Sequence, residues 1–406
     1  MDEKLRIAHF SNTYHPVISG VVRSVSTFRK ALSDLGYSVF VFAQDASDYQ
    51  DEEPFIFRYP TVKLGLPHEI PATIPISPFI DKLFPSLKVD VIHSHHPILV
   101  GQAAAHIAEK YELPLVFTYH SRYHEYSQYL PIKSEAIDEF VREVIRTWLD
   151  GYMSRCQHIV APSESIRQQI MHDHSITSSI TVIPTGIDVE LFRKADGKKI
   201  RKQHGWDQKK ILFSIGRLVR EKNWDKLLEA LKRVVERHSD VKLVLIGDGD
   251  ERENLENYAQ DLGIINHVEF LGKIPFNTVP DYFKAADLFC FASRSETQGL
   301  VTMEAMSAGL PIIAVDGTGT RDVVSDGIEG LLTEDDGEAL AKAICWVLED
   351  GQLASKFKLA AEKKANMFAI EEQAKALVNV YREAMEARKA NLFVKVHSVS
   401  DPAISR

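Results

Sequence analysis

Apolar and polar positions repeat along this chain: a short apolar run, a polar loop, then a longer stretch whose apolar residues recur every three to four positions. The first instance predicts a buried strand over 5–10, a loop over 11–20 and a helix with Val22, Val25, Phe28, Leu32 and Leu35 on its apolar face. Gly36 ends that helix, and 38–43 is the next strand. Further strands are predicted over 89–93, 115–119, 158–161 and 180–183, with helices over 103–111 and 134–156. The second of these helices lines up Ile137, Phe140, Val141, Val144, Ile145, Trp148 and Leu149, a face expected to pack into the core. Residues 51–85 are rich in proline and read as irregular connections with short strands.

The same alternation then starts again. Strands are predicted over 211–215, 241–246, 268–270, 288–292 and 312–315, with helices over 224–237, 252–262 and 279–286 and another from 338. Between the two series the charged run DGKKIRKQHGWDQKK, residues 196–210, has a solvated composition, which places a domain boundary between 185 and 209. Two consecutive strand–helix series predict an α/β protein of two doubly wound domains, 1–190 and 191–375. The tail, 376–406, is expected to begin as a helix that returns towards the first domain and to end in about a dozen loosely held residues.

Composition agrees with this picture and narrows the function. A chain of 406 residues is too long for one core, and 45% hydrophobic with 26% charged residues is a globular composition. A net charge of -9 argues against a nucleic-acid partner. Cys156, Cys290 and Cys345 form no C-x-x-C pair, which fits a reducing cytosol without disulfide or zinc frameworks. No signal peptide and no uninterrupted apolar run long enough to span a bilayer can be read, so a cytoplasmic protein is expected, with attachment to the inner face of the cell membrane left open.

Chemistry concentrates in 288–311, LFCFASRSETQGLVTMEAMSAGLP. Strand, loop and helix in that order put Ser295, Glu296 and Gln298 outside the carboxyl end of a strand, where open α/β folds hold ligands. The first amides of the helix, near 297–301, favour an anion in the same place. Glu296 and Glu304 flank this patch, either as ligand groups or as a loop acid and a helix-surface acid. At the end of the second domain's first strand, Gly216, Arg217, Glu221 and Lys222 form G-R-x-x-x-E-K. There a guanidinium fork and an ammonium suit a diphosphate, against the plainer alternative of a solvated basic turn. Asp248 and Asp250 spell D-x-D, but Gly247 and Gly249 beside them favour a turn over a divalent-ion site. His93, His95, His96, His120 and His124 gather in loops after two strands of the first domain. Their spacing matches no metal-ligand pattern, and hydrogen-bonding histidines lining an acceptor pocket are the alternative to a metal.

These residues together resemble retaining glycosyltransferase family 4, whose signature sets two glutamates eight positions apart before a small-residue run, here Glu296 and Glu304 followed by EAMSAGLP. GRLVREKN at 216–223 and PTGID at 184–188 resemble the family's other landmarks. The resemblance spans essentially the whole chain and implies the GT-B fold, two Rossmann-like domains facing a central cleft with a C-terminal helix crossing back. It implies that Arg217 and Lys222 hold a donor diphosphate, Glu304 the ribose and Glu296 the transferred sugar, with backbone amides of Gln298, Gly299 and Leu300 assisting. Gly20 matches one position of the family's Gly-Gly loop, with Ser19 in place of the other glycine. His120 matches the active-site histidine, expected to meet the sugar's 6-hydroxyl or support charge at the anomeric carbon. Glu296 is expected to position the sugar rather than to attack it. No metal and no cofactor beyond the nucleotide-sugar co-substrate are implied.

The stretch 93–131 resembles bacterial diacylglycerol glucosyltransferases, which implies UDP-glucose as donor and a lipid acceptor at a membrane surface. A soluble sugar or sugar-alcohol acceptor, GDP-mannose as donor, and a non-catalytic nucleotide-sugar-binding regulator are the alternatives. Tyr123, Tyr126 and His95 are the expected acceptor-side residues, although an aromatic loop can equally be anchored to its own domain. Residues 1–190 carry 16 Lys and Arg against 23 Asp and Glu, a net of -7, so contact with anionic lipid needs a local basic patch or apolar insertion.

Overall fold

A computed structural model describes residues 4–17, 19–46, 49–63, 71–121, 123, 135–294 and 296–399. The chain forms two compact units, Met1–Gly186 with Gln373–Arg406, and Ile187–Glu372.

The strands of the first unit are β1 (Arg6–Ser11), β2 (Ser38–Gln44), β3 (Ile56–Tyr59), β4 (Thr61–Lys63), β5 (Pro71–Thr73), β6 (Val91–Ser94), β7 (Leu115–Thr118), β8 (His158–Ala161) and β9 (Ser179–Val182). Seven of them make a parallel sheet in the order β3-β2-β1-β6-β7-β8-β9, and β4 and β5 pair antiparallel on their own. The order reverses direction between β1 and β6, so the loops leaving those two strands diverge and open a crevice. Phe10, Phe42 and Phe117, fully buried, are at the centre of the core.

The second unit repeats the plan with β10 (Lys210–Ile215), β11 (Val241–Ile246), β12 (Val268–Gly272), β13 (Leu288–Phe291), β14 (Ile312–Val315) and β15 (Gly330–Thr333). Its parallel order is β12-β11-β10-β13-β14-β15, with the reversal between β10 and β13. These are the two strands from which the G-R-x-x-x-E-K turn and the paired-glutamate loop emerge. Phe213, Phe283 and Phe289 fill one side of the sheet, and Leu228, Leu231 and Ile344 the other.

Three expectations are corrected. The charged run at 196–210 is not a solvated linker: Gly197–His204 is a helix of the second unit. Arg201 donates to the carbonyls of Ala285, Trp206 and Lys209 and pairs with Asp287 at 2.6 Å, while the Trp206 ring is buried. A run of charges conceals such a helix because its stabilising contacts are made by one guanidinium and one indole. The helix Glu135–Met153 does not bury its whole apolar face. Leu149 is buried, but Ile137, Phe140 and Val144 are 38, 69 and 51% exposed. The C-terminal helix runs Ile370–Val399, into the last dozen residues expected to be loosely held. From Gln373 on it belongs to the first unit, with Leu377, Tyr381 and Ala384 buried. All three cysteines are free and buried, and burial pushes the Cys156 and Cys290 thiols far above their ordinary range.

Candidate active site

In the second unit the turn after β10 is held by its neighbours. The Gly216 amide donates to Ile246 O at 3.0 Å, and the Leu218 amide to Asp248 O at 3.0 Å. A Cβ on Gly247 would stand 1.8 Å from Gly216 O, and one on Gly249 2.3 Å from Leu218 O. The D-x-D residues therefore belong to a turn whose glycines let two backbones touch. Asn223, in left-handed conformation at φ 57°, fixes the far end of the loop. Its Nδ2 donates to Ala292 O at 3.2 Å and Asp335 Oδ1 at 2.6 Å, and its Oδ1 accepts from Arg294.

This scaffold brings Lys222 to Glu296. Nζ lies 2.5 Å from Oε1, and both side chains are 16% exposed. Arg217 is not drawn in with them: it is 72% exposed and pairs with Glu221 at 2.9 Å. Glu296 is seated from behind by the loop after β14. Its amide donates to Thr318 O at 3.1 Å, and a Cβ on Gly319 would lie 2.7 Å from the Glu296 Cβ, so only glycine fits there. Gly299, at φ 66°, turns the chain into the helix Leu300–Ser307. Gly299 O accepts the Thr302 and Met303 amides, and the leading amides of Leu300 and Val301 have no acceptor within the helix. Gln298 is buried, and Glu304 is 1% exposed. A carboxyl group that is wholly inside is no helix-surface acid. Ser295 lies outside the described residues.

In the first unit Ser19 Oγ accepts the Val22 amide at 3.2 Å and caps the helix Gly20–Asp34. Nothing lies within 4 Å of a Cβ placed on Gly20, so internal packing does not demand the glycine. The ends of β6 and β7 hold the histidines. His95 Nδ1 meets His120 Nε2 at 2.9 Å, and His95 Nε2 meets His9 Nδ1 at 2.9 Å. His9 Nε2 meets the Tyr381 hydroxyl at 3.3 Å, which also meets His93 Nδ1 at 2.8 Å. His93 Nε2 ends the chain on Thr118 Oγ1 at 2.7 Å. Burial holds His9 and His120 neutral, with pKa values of about 3, and keeps His93 and His95 well below the ordinary range. His96 stands apart, its Nδ1 accepting the Asn12 amide at 3.1 Å.

Two of the expected acceptor-side residues are buried. His95 is 1% exposed with both ring nitrogens engaged internally, and Tyr123 is buried edge-on against Tyr119. Both rings are packed in the interior of the first unit. Tyr126 and His124 lie outside the described residues. A cavity of about 350 Å³, lined by Tyr119, Arg142, Arg146, Leu149, Asp173 and His174 among others, sits beside the exposed part of the helix Glu135–Met153. Sequence reasoning missed Asn223, the Gly317–Gly319 loop, His9 and Tyr381. The D-G-T-G run directly after β14 was a usable signal for the loop, whereas nothing local marks Tyr381.

The architecture has close structural counterparts. Sucrose-phosphate synthase from Thermosynechococcus elongatus aligns over 95% of this chain and 100% of its own, with a TM-score of 0.73 at 22% identity. The Anabaena protein HepE in complex with UDP-glucose aligns over 95% and 99%, with a TM-score of 0.70 at 21% identity. Two parallel, doubly wound sheets matched from end to end by such structures define the GT-B fold. Residues 18–191 match the family described as Glycosyltransferase Family 4, and 196–364 match Glycosyl transferases group 1. An alpha-monoglucosyldiacylglycerol synthase of Streptococcus pneumoniae is 31% identical over 81% of this chain and 75% of its own length. The chain belongs to glycosyltransferase family 4. A second alpha-monoglucosyldiacylglycerol synthase, from Acholeplasma laidlawii, is 26% identical over 96% of this chain and 99% of its own. A GDP-mannose-dependent alpha-mannosyltransferase of Corynebacterium glutamicum is 28% identical over 86% and 82%.

Proposed function

We propose that the protein transfers glucose from UDP-glucose to a hydroxyl of diacylglycerol with retention of anomeric configuration. The observation that carries this reading is the donor half-site: Lys222 against Glu296, the open amides of Leu300 and Val301, and buried Glu304, all at the switch point of one sheet. Cleavage of a sugar–diphosphate bond builds negative charge on the leaving group. Lys222 and the helix N-terminus answer that charge in place, and Arg217 joins them by leaving its exposed pairing with Glu221. Glu296 holds the sugar hydroxyls and Glu304 the ribose. The first unit binds the acceptor and carries His120.

The lipid acceptor is supported by the names of the two diacylglycerol-directed relatives and by the apolar row Ile137, Phe140 and Val144, which lies open on a helix flanked by Arg142 and Arg146. Among the described residues no helix is long and apolar enough to cross a membrane, so contact with lipid is made from the surface. An alpha-glucoside formed from the alpha-linked nucleotide sugar keeps its configuration.

Purified protein given UDP-glucose and diacylglycerol in mixed micelles is expected to yield glucosyldiacylglycerol, read by mass spectrometry, with the alpha linkage read by NMR. Transfer to a soluble sugar but not to diacylglycerol overturns the lipid reading. The mannosyltransferase relative makes GDP-mannose the second donor to test. Thermal stabilisation by UDP, GDP and ADP side by side separates the bases, since binding to the native state raises its melting temperature. Because Lys222, Arg217 and backbone amides carry the charge, turnover is expected to survive EDTA; loss on chelation and recovery with a divalent ion would place a metal in the reaction. A glycosyl adduct trapped on Glu296 would overturn its positioning role.

A further inference from the structure

The rings linked through Tyr381 leave few choices for their protons. A neutral imidazole has one donor and one acceptor, and a hydroxyl has one proton to give. Each ring from Thr118 through His93, Tyr381, His9 and His95 to His120 therefore passes on the direction it receives, and besides one arrangement in which Tyr381 accepts from both His93 and His9 and orphans its own buried proton, two arrangements satisfy every link. In one, all protons point towards Thr118: His120 Nε2–H donates to His95, and His93 Nε2–H donates to Thr118 Oγ1. The Thr118 hydroxyl proton then needs a second acceptor. Thr118 is 6% exposed, and among the described residues its hydroxyl has no partner besides His93. In the other, Thr118 Oγ–H donates to His93 Nε2, His93 Nδ1–H to Tyr381, Tyr381 O–H to His9 Nε2, His9 Nδ1–H to His95, and His95 Nδ1–H to His120 Nε2. Every proton within the chain is used, and the one left over, His120 Nδ1–H, sits on the half-buried ring at its end, where a ligand can take it. An orphaned buried donor is costly, so the second arrangement prevails by about tenfold or more.

We propose that His120 carries its proton on Nδ1 and presents it as a hydrogen-bond donor to a ligand oxygen, with Thr118 and Tyr381 as the positioning residues that set this polarity. The low basicity of the buried rings agrees, because a neutral chain is what the counting requires. His9, His93 and His95 bring ring nitrogens within 4.8 Å of one another, a spacing open to a metal ion, but every one of those nitrogens is already engaged in the chain. His120 Nδ1 has no partner among the described residues, which leaves it as the chain's working end. As a donor there, His120 orients a sugar or acceptor hydroxyl and does not withdraw its proton.

The test is the ring spectrum of the full-length protein labelled with 15N-histidine, taken by long-range 1H–15N correlation at neutral pH after chelation. The His120 signals are identified by their loss in His120→Asn. A protonated Nδ1 with an unprotonated Nε2 is expected; a protonated Nε2 overturns the proposal. Zinc added to the chelated protein is expected to leave the His9, His93 and His95 signals in place, and their displacement would overturn the chain in favour of a metal centre. Thr118→Val, which removes the starting proton, should mix the two forms of His120, and Thr118→Ser should restore one. The wild-type spectrum, assigned through His120→Asn, decides the matter even if Thr118→Val fails to fold. The kinetic consequence rests on the transfer reaction proposed above: Thr118→Val lowers kcat about tenfold with little change in the donor KM. The spectrum needs no donor, so a correct tautomer with no sugar transfer would refute the reaction and leave the proposal standing, while the wrong tautomer refutes the proposal alone.

Discussion

Lys222 and Glu296 sit 74 positions apart in the chain and make a 2.5 Å ion pair. Each is assigned to a different part of the donor, the cation to phosphate and the carboxylate to sugar. Removing the carboxylate alone leaves a partly buried cation that still faces the diphosphate. Glu296→Gln is therefore expected to lower kcat about a hundredfold while the donor KM moves only a few-fold. Glu304 is wholly inside and holds no reacting atom in this scheme, so Glu304→Ala should chiefly weaken UDP binding, read by calorimetry. Equal losses of binding and turnover in both variants would undo the division. Residue types and positions at this site were legible from spacing, because a strand, a polar loop and a helix fix which residues stand at a strand end. Partnerships were less so. Arg217 and Lys222 read as a matched pair, but the 3-10 turn Arg220–Lys222 sends them different ways. The link between His9 and Tyr381 joins residues 372 positions apart, a relation no local period carries.

At the scale of the element, the helix Glu135–Met153 shows where periodicity stops being informative. Its apolar spacing announced an amphipathic helix, and the helix is there, but period says only that one face is apolar and not what covers it. Leu149, Tyr152 and Met153 are buried at one end, while Phe140 is 69% exposed nearer the other. Phe140→Asp should thus leave the fold intact and weaken co-sedimentation with lipid vesicles about fivefold or more, since a large ring's burial contributes on the order of 2 kcal/mol. Unchanged sedimentation would remove this helix from the membrane-contact proposal. The strands were far easier: 158–161, 241–246 and 312–315 were read with the bounds they have. The exceptions, β3, β4, β5 and β15, are short and sit among prolines and turns that hide a run of three or four.

For the whole molecule, the buried rings tie stability to pH. Burial holds His9 and His120 at about 3 and His96 at about 4, against 6.5 in the open chain. As pH falls below about 6.5 the unfolded chain takes up protons on these rings and the native chain does not, so stability falls with pH across that window. By pH 5 each ring accounts for about 2 kcal/mol. The melting temperature should hold near neutral pH and drop steeply between about pH 6.5 and 5. A flat profile would mean that the rings are solvated or charged in the native state. Two parallel sheets with reversals at β1/β6 and β10/β13 were foreseen as doubly wound domains from the repeated alternation, but strand order was not, because it depends on contacts between distant runs.

Cys156 lies in the first unit and Cys290 in the second, each buried and each held as an unreactive thiol. An alkylating reagent reaches such a sulfur only when the structure around it opens. The wild-type chain thus contains a chronometer for each half: the time course of mass gain at each cysteine, followed peptide by peptide with and without UDP, would tell which half loosens first and which one the nucleotide holds shut.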